Sequence, residues 1–257
     1  MLKKYYRLLP ISFRNKLRWL KNPCESLLIF FVRLITKSKV QSGPFKNLSI
    51  KIDDFYAPMI FGTYEKDLHF HLQEWIKFQS DLICIGAAEG YYTAGFAIHR
   101  SNSNIFAYEQ DGYQKNNLLQ VCQQNHLNNI EVLGKCSTHS LDQLLKSLNK
   151  SVDIICDIEG GEIDILNPIK VPLLKYARIL VEVHDHLVPE CTDVLRKRFE
   201  HSHSCIEVPE TDRSIDDFPK NPHILNLLLS TKQKLKFLNE GRVEKMKWLY
   251  FINNSCI

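Results

Sequence analysis

The sequence predicts an α/β fold built on a doubly wound, mostly parallel sheet. Short apolar or β-branched runs recur at 81–85 (DLICI), 104–108 (NIFAY), 129–133 (NIEVL), 152–156 (VDIIC) and 178–183 (RILVEV). Helix-like segments follow them at 91–100, 112–126, 139–149, 160–167 and 189–199. Strand and helix alternating through connections this short mean parallel strands wrapped by helices on both faces. A length of 257 residues suits one such domain with an extension.

The first forty residues form that extension. They carry ten Lys/Arg against Glu25, a charge of +9, which leaves −5 on the rest of a chain whose net charge is +4. The basic character therefore belongs to the arm. Its apolar run SLLIFFVRLI (26–35) has ten residues and contains Arg33. That is too short to span a bilayer, which takes about 20. Two readings stand: an interfacial amphipathic helix giving residues 1–40 a peripheral contact with an anionic membrane, or a helical extension that packs its apolar side on the domain. No nucleic-acid recognition motif accompanies the charge, so no nucleic-acid partner is expected. QSGPFKN (41–47) carries Gly and Pro and marks a boundary, dividing the chain into an arm, 1–45, and a domain, 46–257.

Beyond the fifth run, 204–208 (SCIEV) and 248–252 (WLYFI) can supply a sixth and a seventh strand. The eight cysteines never form a CxxC pair, and several sit inside apolar runs. They read as small core residues of a reducing compartment, not as a disulfide framework or zinc site. No secretory leader is legible, so a cytoplasmic location is expected.

DLICIGAAEGYYTAGFA (81–97) places Gly86 and Gly90 between the first strand and the first helix. In a doubly wound sheet this turn borders the ligand crevice, and glycine lets backbone come close to a ligand. The second strand ends at Glu109, nineteen residues after Gly90. A carboxylate there accepts hydrogen bonds from both hydroxyls of a ribose. A dinucleotide site would need GxGxxG, but the spacing here is GxxxG and Glu89 stands where a pyrophosphate would bring charge. The turn suits a ligand with ribose and no phosphate, such as S-adenosylmethionine.

With IGAAEGYYTAGFA (85–97), FAYEQD (106–111), DIICDIEGGEIDIL (153–166) and ILVEVHDH (179–186), the chain resembles the class I S-adenosylmethionine-dependent methyltransferases, in particular the FkbM-like family. The resemblance spans roughly residues 65–252, and DIEGGE (157–162) is its most specific piece. It implies a Rossmann-like seven-stranded sheet with an antiparallel last strand. It also implies methylation of a hydroxyl on a sugar, glycan or secondary metabolite. Gly86, Ala87, Gly90, Glu109 and Ser137 would then contact the cofactor. Many relatives have Asp two residues before the first glycine, where this chain has Cys84.

Methyl transfer to oxygen needs in-line alignment and a destination for the proton. The ends of the fourth and fifth strands bring Asp157, Glu159, Glu162, Glu182, His184, Asp185 and His186. In one reading His184 or Asp157 is the general base. In another, Asp157, Asp185 and His184 hold Mg²⁺, as in catechol-type methyltransferases, which the chain resembles at these strand ends. Asp157, His184 and Asp185 are thus the catalytic candidates, with Glu159, Glu162 and His186 facing the acceptor. Glu162 at a helix start also fits the helix dipole. Tyr91 and Tyr92 either touch the ligand or pack, and Asp111 caps the next helix or reaches the adenine edge. His69 and His71, ahead of the first strand, read as structural. Arg213 and Arg242 read as surface cations or as clamps for an acidic acceptor. Two other classes remain open: a nicotinamide-dependent dehydrogenase, and a non-catalytic membrane-docked module that keeps the fold.

Overall fold

The structure, a computed structural model, describes residues 23–51, 56–148, 151–242 and 244–254. The first 22 residues of the basic arm, and Cys256, lie outside the described residues. The described residues group into two compact units, Glu65–Asp212 with the chain from Gly241 onward, and the chain up to Tyr64 with Arg213–Glu240.

Strands β1 (Asp81–Ile85), β2 (Ile105–Tyr108), β3 (Ile130–Leu133), β4 (Val152–Cys156), β5 (Arg178–Val183), β6 (His203–Pro209) and β7 (Lys247–Asn253) form one sheet in the order β3-β2-β1-β4-β5-β7-β6. The first five run parallel, and β7 is antiparallel to both β5 and β6. The helices are α1 (Pro23–Thr36), α2 (Ala57–Phe61), α3 (His69–Ile76), α4 (Tyr91–Ala97), α5 (Gly112–Gln124), α6 (Thr138–Ser147), α7 (Glu162–Ile165), α8 (Cys191–Phe199), α9 (His223–Leu228) and α10 (Thr231–Leu238). The seven strands and the reversed last strand are those the sequence and its resemblance predict.

β1 and β4 are buried at every position, which is why they read as unbroken apolar runs rather than as alternation. The edge strand β6 is mostly exposed, and β3, at the other edge, is half-buried at three of its four positions. On one face Ile83, Ile85, Ile154, Cys156, Ile179 and Val181 pack with Leu141 and Leu145 of α6 and Leu195 and Phe199 of α8. Elsewhere in this unit Trp75 of α3 meets Phe96 of α4 and Tyr250 of β7 edge-on or tilted, at 6.3 and 5.5 Å between ring centres. His71 lies against the same Tyr250 ring, a packing role. Asp111 caps α5, accepting the N–H groups of Tyr113 and Gln114 at 2.9 Å each. Six described cysteines are free: Cys84, Cys122, Cys156 and Cys191 are buried, Cys136 is half-buried and Cys205 is exposed.

Near the amino ends of the strands, one buried carboxylate ties three elements together. Asp153 of β4 pairs with Arg100 at 2.8 Å and with Arg178 of β5 at 2.7 Å, and accepts the Ser80 hydroxyl at 2.6 Å. Arg178 also stacks over the Phe78 ring at 3.6 Å. Arg100 and Asp153 are fully buried, so Asp153→Ala strands a cation out of reach of water. Removing one partner of such a pair costs about 3–5 kcal/mol. Chemical denaturation should therefore show a lower midpoint at unchanged slope for this variant. A loss below about 1 kcal/mol would mean that the pair does not hold these strands together.

The second unit builds its own core from Val32 of α1, Phe61 of α2, Leu225 of α9, Phe237 and Leu238 of α10, and Phe218 and Leu229. The 41–47 stretch lies inside it. The Gln41 N–H donates to the Ile60 carbonyl at 2.9 Å and the Ser42 hydroxyl to the Phe61 carbonyl at 2.6 Å. Arg213 pairs with Glu240 at 3.0 Å in the same unit. No helix of the described residues is long and apolar enough to cross a membrane.

Candidate active site

β1 lies between β2 and β4, so the chain leaves it in opposite directions, and the crevice of such a sheet opens over the carboxyl ends of these strands. The Gly86 and Ala87 N–H groups both donate to the Tyr108 carbonyl at 3.0 Å, and the Asp157 N–H donates to the Ile85 carbonyl at 2.9 Å. These bonds clamp the ends of β1, β2 and β4 together. Gly86 and Gly90 both have positive φ, +83° and +92°. A Cβ on Gly86 would lie 1.8 Å from the Asp157 carbonyl oxygen, and one on Gly90 would lie 2.4 Å from Leu118 Cδ1. The glycines are thus demanded by the neighbouring strand and helix, where the sequence suggested the approach of a ligand.

Glu109, at the end of β2, faces this turn. Its Oε2 accepts the Ala88 N–H at 2.8 Å and its Oε1 accepts the Asp111 N–H at 2.7 Å. Each carboxylate oxygen retains a second acceptor direction. Ser137 is an exposed helix cap whose hydroxyl accepts the Ser140 N–H at 3.1 Å. Cys84, two residues before Gly86, is buried in β1. Burial pushes its thiol up to about 12, against the hydrogen bond to Thr93, so it is an inert core residue.

The ends of β4 and β5 carry a dense group of acids around one imidazole. His184 is almost fully buried, and its Nδ1 lies 2.8 Å from Glu162 Oε1 on the wholly buried Glu162. Its Nε2 stands 3.7 Å from Asp157 Oδ1, 3.6 Å from Glu159 Oε2 and 3.7 Å from Glu182 Oε2. All three separations exceed hydrogen-bond reach. Asp157 Oδ1 is itself buried and accepts no hydrogen bond. Arg242 contacts Glu182 Oε1 through Nη1 and Glu65 Oε1 through Nη2, and the Tyr92 hydroxyl donates to Glu65 Oε2. Glu210 Oε2 stands 3.9 Å from Arg242 Nε, so six carboxylates surround one guanidinium and one imidazole.

That imbalance shifts the protonation equilibria of the group. Burial and then the Glu65 charge push Asp157 up to about 7, against the pull of His184. Burial and the Asp157 charge raise Glu182 despite Arg242. Burial would lower His184, but the hydrogen bond and charge of Glu162, with Asp157 and Glu182, carry it up to about 9. Burial would raise Glu162, but its bonds to His184 and to the Gly160 N–H hold it below the usual carboxylate range. A group like this takes up protons or another cation.

The structure brings Asp157, Glu159, Glu162 and His184 together. His186 is exposed beside them, its ring centre 5.8 Å from that of His184. Asp185 points elsewhere. It accepts the Thr192 N–H at 2.9 Å and hydroxyl at 2.6 Å, and lies 3.2 Å from Lys247. Those bonds outweigh its burial and keep its carboxyl low. Its place around the imidazole is taken by Glu182. Sequence reasoning missed Glu65, which reaches Arg242 across 177 residues and stands in no motif. Arg242, read as a surface cation or acceptor clamp, is held by Glu65 and Glu182 instead, with Glu210 3.9 Å away.

No family model matches the chain, and no curated protein matches it. Among solved structures it is similar to a putative O-methyltransferase from Klebsiella pneumoniae, at 12% identity and TM-score 0.43, covering 87% of this chain and 89% of that one. It is also similar to a precorrin-6y C5,15-methyltransferase from Geobacter metallireducens GS-15, at 13% identity and TM-score 0.44, covering 74% and 87%. A third is M. jannaschii TYW2 in complex with AdoMet, at 12% identity and TM-score 0.39, covering 81% and 80%.

Proposed function

We propose that the chain is an S-adenosylmethionine-dependent methyltransferase acting on a hydroxyl of a sugar, glycan or secondary metabolite. The observation that carries this reading is Glu109: a carboxylate held by two backbone N–H groups at the end of β2, beside the glycine turn. A ribose diol offers it two O–H donors, and hydrogen bonds to a charged acceptor are the strong ones. In this reading Gly86, Ala87, Gly90 and Ser137, which caps α6, contact the cofactor beside it. The GxxxG spacing and Glu89 favour a ligand with ribose and no pyrophosphate.

S-adenosylmethionine, when bound, supplies a methyl group on a sulfonium for in-line attack. The chain's own part is to orient the acceptor and receive its proton. Alignment alone contributes up to about 7–11 kcal/mol. The hydroxyl proton displaced by methylation would pass to the group around His184, with Asp157 as its first acceptor. Glu162 fixes the His184 ring through Nδ1, while the exposed Glu159 and His186 meet the acceptor. Asp185 supports the site by capping α8. The acceptor class comes from the motif resemblance.

Thermal unfolding tests the cofactor. S-adenosylhomocysteine at about a hundred times its Kd adds roughly 2.7 kcal/mol, which raises Tm by about 5–11 °C in a chain of this size. NAD should leave Tm unchanged. A shift with NAD and none with S-adenosylhomocysteine would favour a nicotinamide-dependent dehydrogenase instead. A peripheral membrane contact through residues 1–40 is a companion proposal, supported by the exposed Leu27, Phe30, Phe31 and Leu34 along α1. Co-sedimentation with anionic but not neutral vesicles reads it, and equal recovery in both supernatants would sink it.

A further inference from the structure

We infer that Asp157, Glu182 and His184 form a binding site for a divalent cation at the ends of β4 and β5. One carboxylate oxygen from each acid and one imidazole nitrogen lie within 4.8 Å of one another. Two of the separations are 3.7 Å and the third is no more than 4.8 Å, so a point equidistant from the three atoms lies at most about 2.4 Å from each, within the range of metal–oxygen and metal–nitrogen bonds. The facing atoms are also the unspent ones. Asp157 Oδ1 is buried with no hydrogen bond, and His184 Nε2 stands beyond hydrogen-bond reach of every carboxylate around it.

The surroundings match those of a metal ligand set. Glu162 engages Nδ1, which fixes the tautomer and leaves Nε2 aimed into the acids. Arg242 takes up Glu182 Oε1, so Oε2 of the same carboxylate is the one turned toward His184. Glu159 Oε2, on an exposed side chain, lies 3.6 Å from the same nitrogen. One nitrogen with two carboxylates suits Mn²⁺, Fe²⁺ or Zn²⁺ better than the all-oxygen shell of Ca²⁺. The set shares Asp157 with the Mg²⁺ reading from the sequence, but Glu182 replaces Asp185, whose carboxylate is spent on Thr192 and Lys247. The site shares Asp157 and His184 with the proposed proton route, but cation binding tests it without any methyl transfer, so the two readings fail separately.

The probe is Mn²⁺, added to the metal-stripped full chain and followed by electron paramagnetic resonance. One ion per chain should bind saturably at sub-millimolar concentration, and pulsed spectra of the wild-type complex should show coupling to one imidazole nitrogen. Zn²⁺ should displace it. His184→Gln should remove the nitrogen coupling, and Glu162→Gln should weaken binding by about 10–100-fold while the fold, read by circular dichroism, persists. Absence of saturable binding, or binding without nitrogen coupling, would overturn the site. So would Mn²⁺ affinity indifferent to both substitutions. The wild-type spectrum decides even where a variant fails to fold.

Discussion

Glu109→Ala is expected to weaken S-adenosylhomocysteine binding by about 100-fold or more while the protein stays folded. The carboxylate already accepts the Ala88 and Asp111 N–H groups, so it meets a ligand in a preset orientation. A hydrogen bond to a charged group contributes about 1.5–3 kcal/mol, and a ribose diol makes two. Alanine removes both and also leaves two backbone donors without their partner, which loosens the turn beside the ligand. Glu109→Gln separates these effects. Its single carbonyl oxygen can serve one of the two N–H groups, but its amide nitrogen would face the other, so it too should bind poorly. Calorimetric titration of both variants checks this. Affinity within threefold of wild type in either would show that the ligand does not use this carboxylate.

Gly86→Ala should give the largest loss of stability of any single substitution considered: more than about 5 kcal/mol, or no folded protein at all. The new Cβ would sit 1.8 Å from the Asp157 carbonyl oxygen and 2.9 Å from Ile158 Cγ2. The first of these is backbone of the adjoining strand end and cannot swing away. The residue also keeps φ at +83°, which costs an alanine roughly 1–2 kcal/mol more. Losses of this size arise from a short list of mechanisms, and a clash with backbone under a forced φ combines two of them. Gly90→Ala is the control. Its Cβ meets the tip of Leu118, a side chain that can move, so a smaller loss is expected. Soluble yield and denaturation midpoints rank the two, and equal losses would contradict the packing account.

Much of this fold is legible in the order of the amino acids. Unbroken apolar runs such as VDIIC announce a strand covered on both faces, and all five residues of β4 are buried. Which strands lie at the edges is not legible in the runs themselves; β3 and β6 hold those places and are the less buried strands. The crevice was legible because strand ends and glycine turns are local in sequence. The acid group was only half legible. Asp157, Glu162 and His184 stand at strand ends, where topology gathers them. Glu65 and Arg242 arrive from before the first strand and ahead of the last, and nothing local marks them. Orientation was the other gap. Asp185 and His184 are adjacent in β5's exit, yet one caps α8 and the other turns into the acids, a choice made by Thr192 and Glu162.

The central claim is that the Glu109 crevice holds S-adenosylmethionine, and calorimetric titration of the purified wild-type chain tests it most directly. Titrated with S-adenosylhomocysteine, it should show one micromolar site, and titrated with NAD it should show none. Heat from NAD with silence from S-adenosylhomocysteine, or silence from both, would contradict the methyltransferase reading.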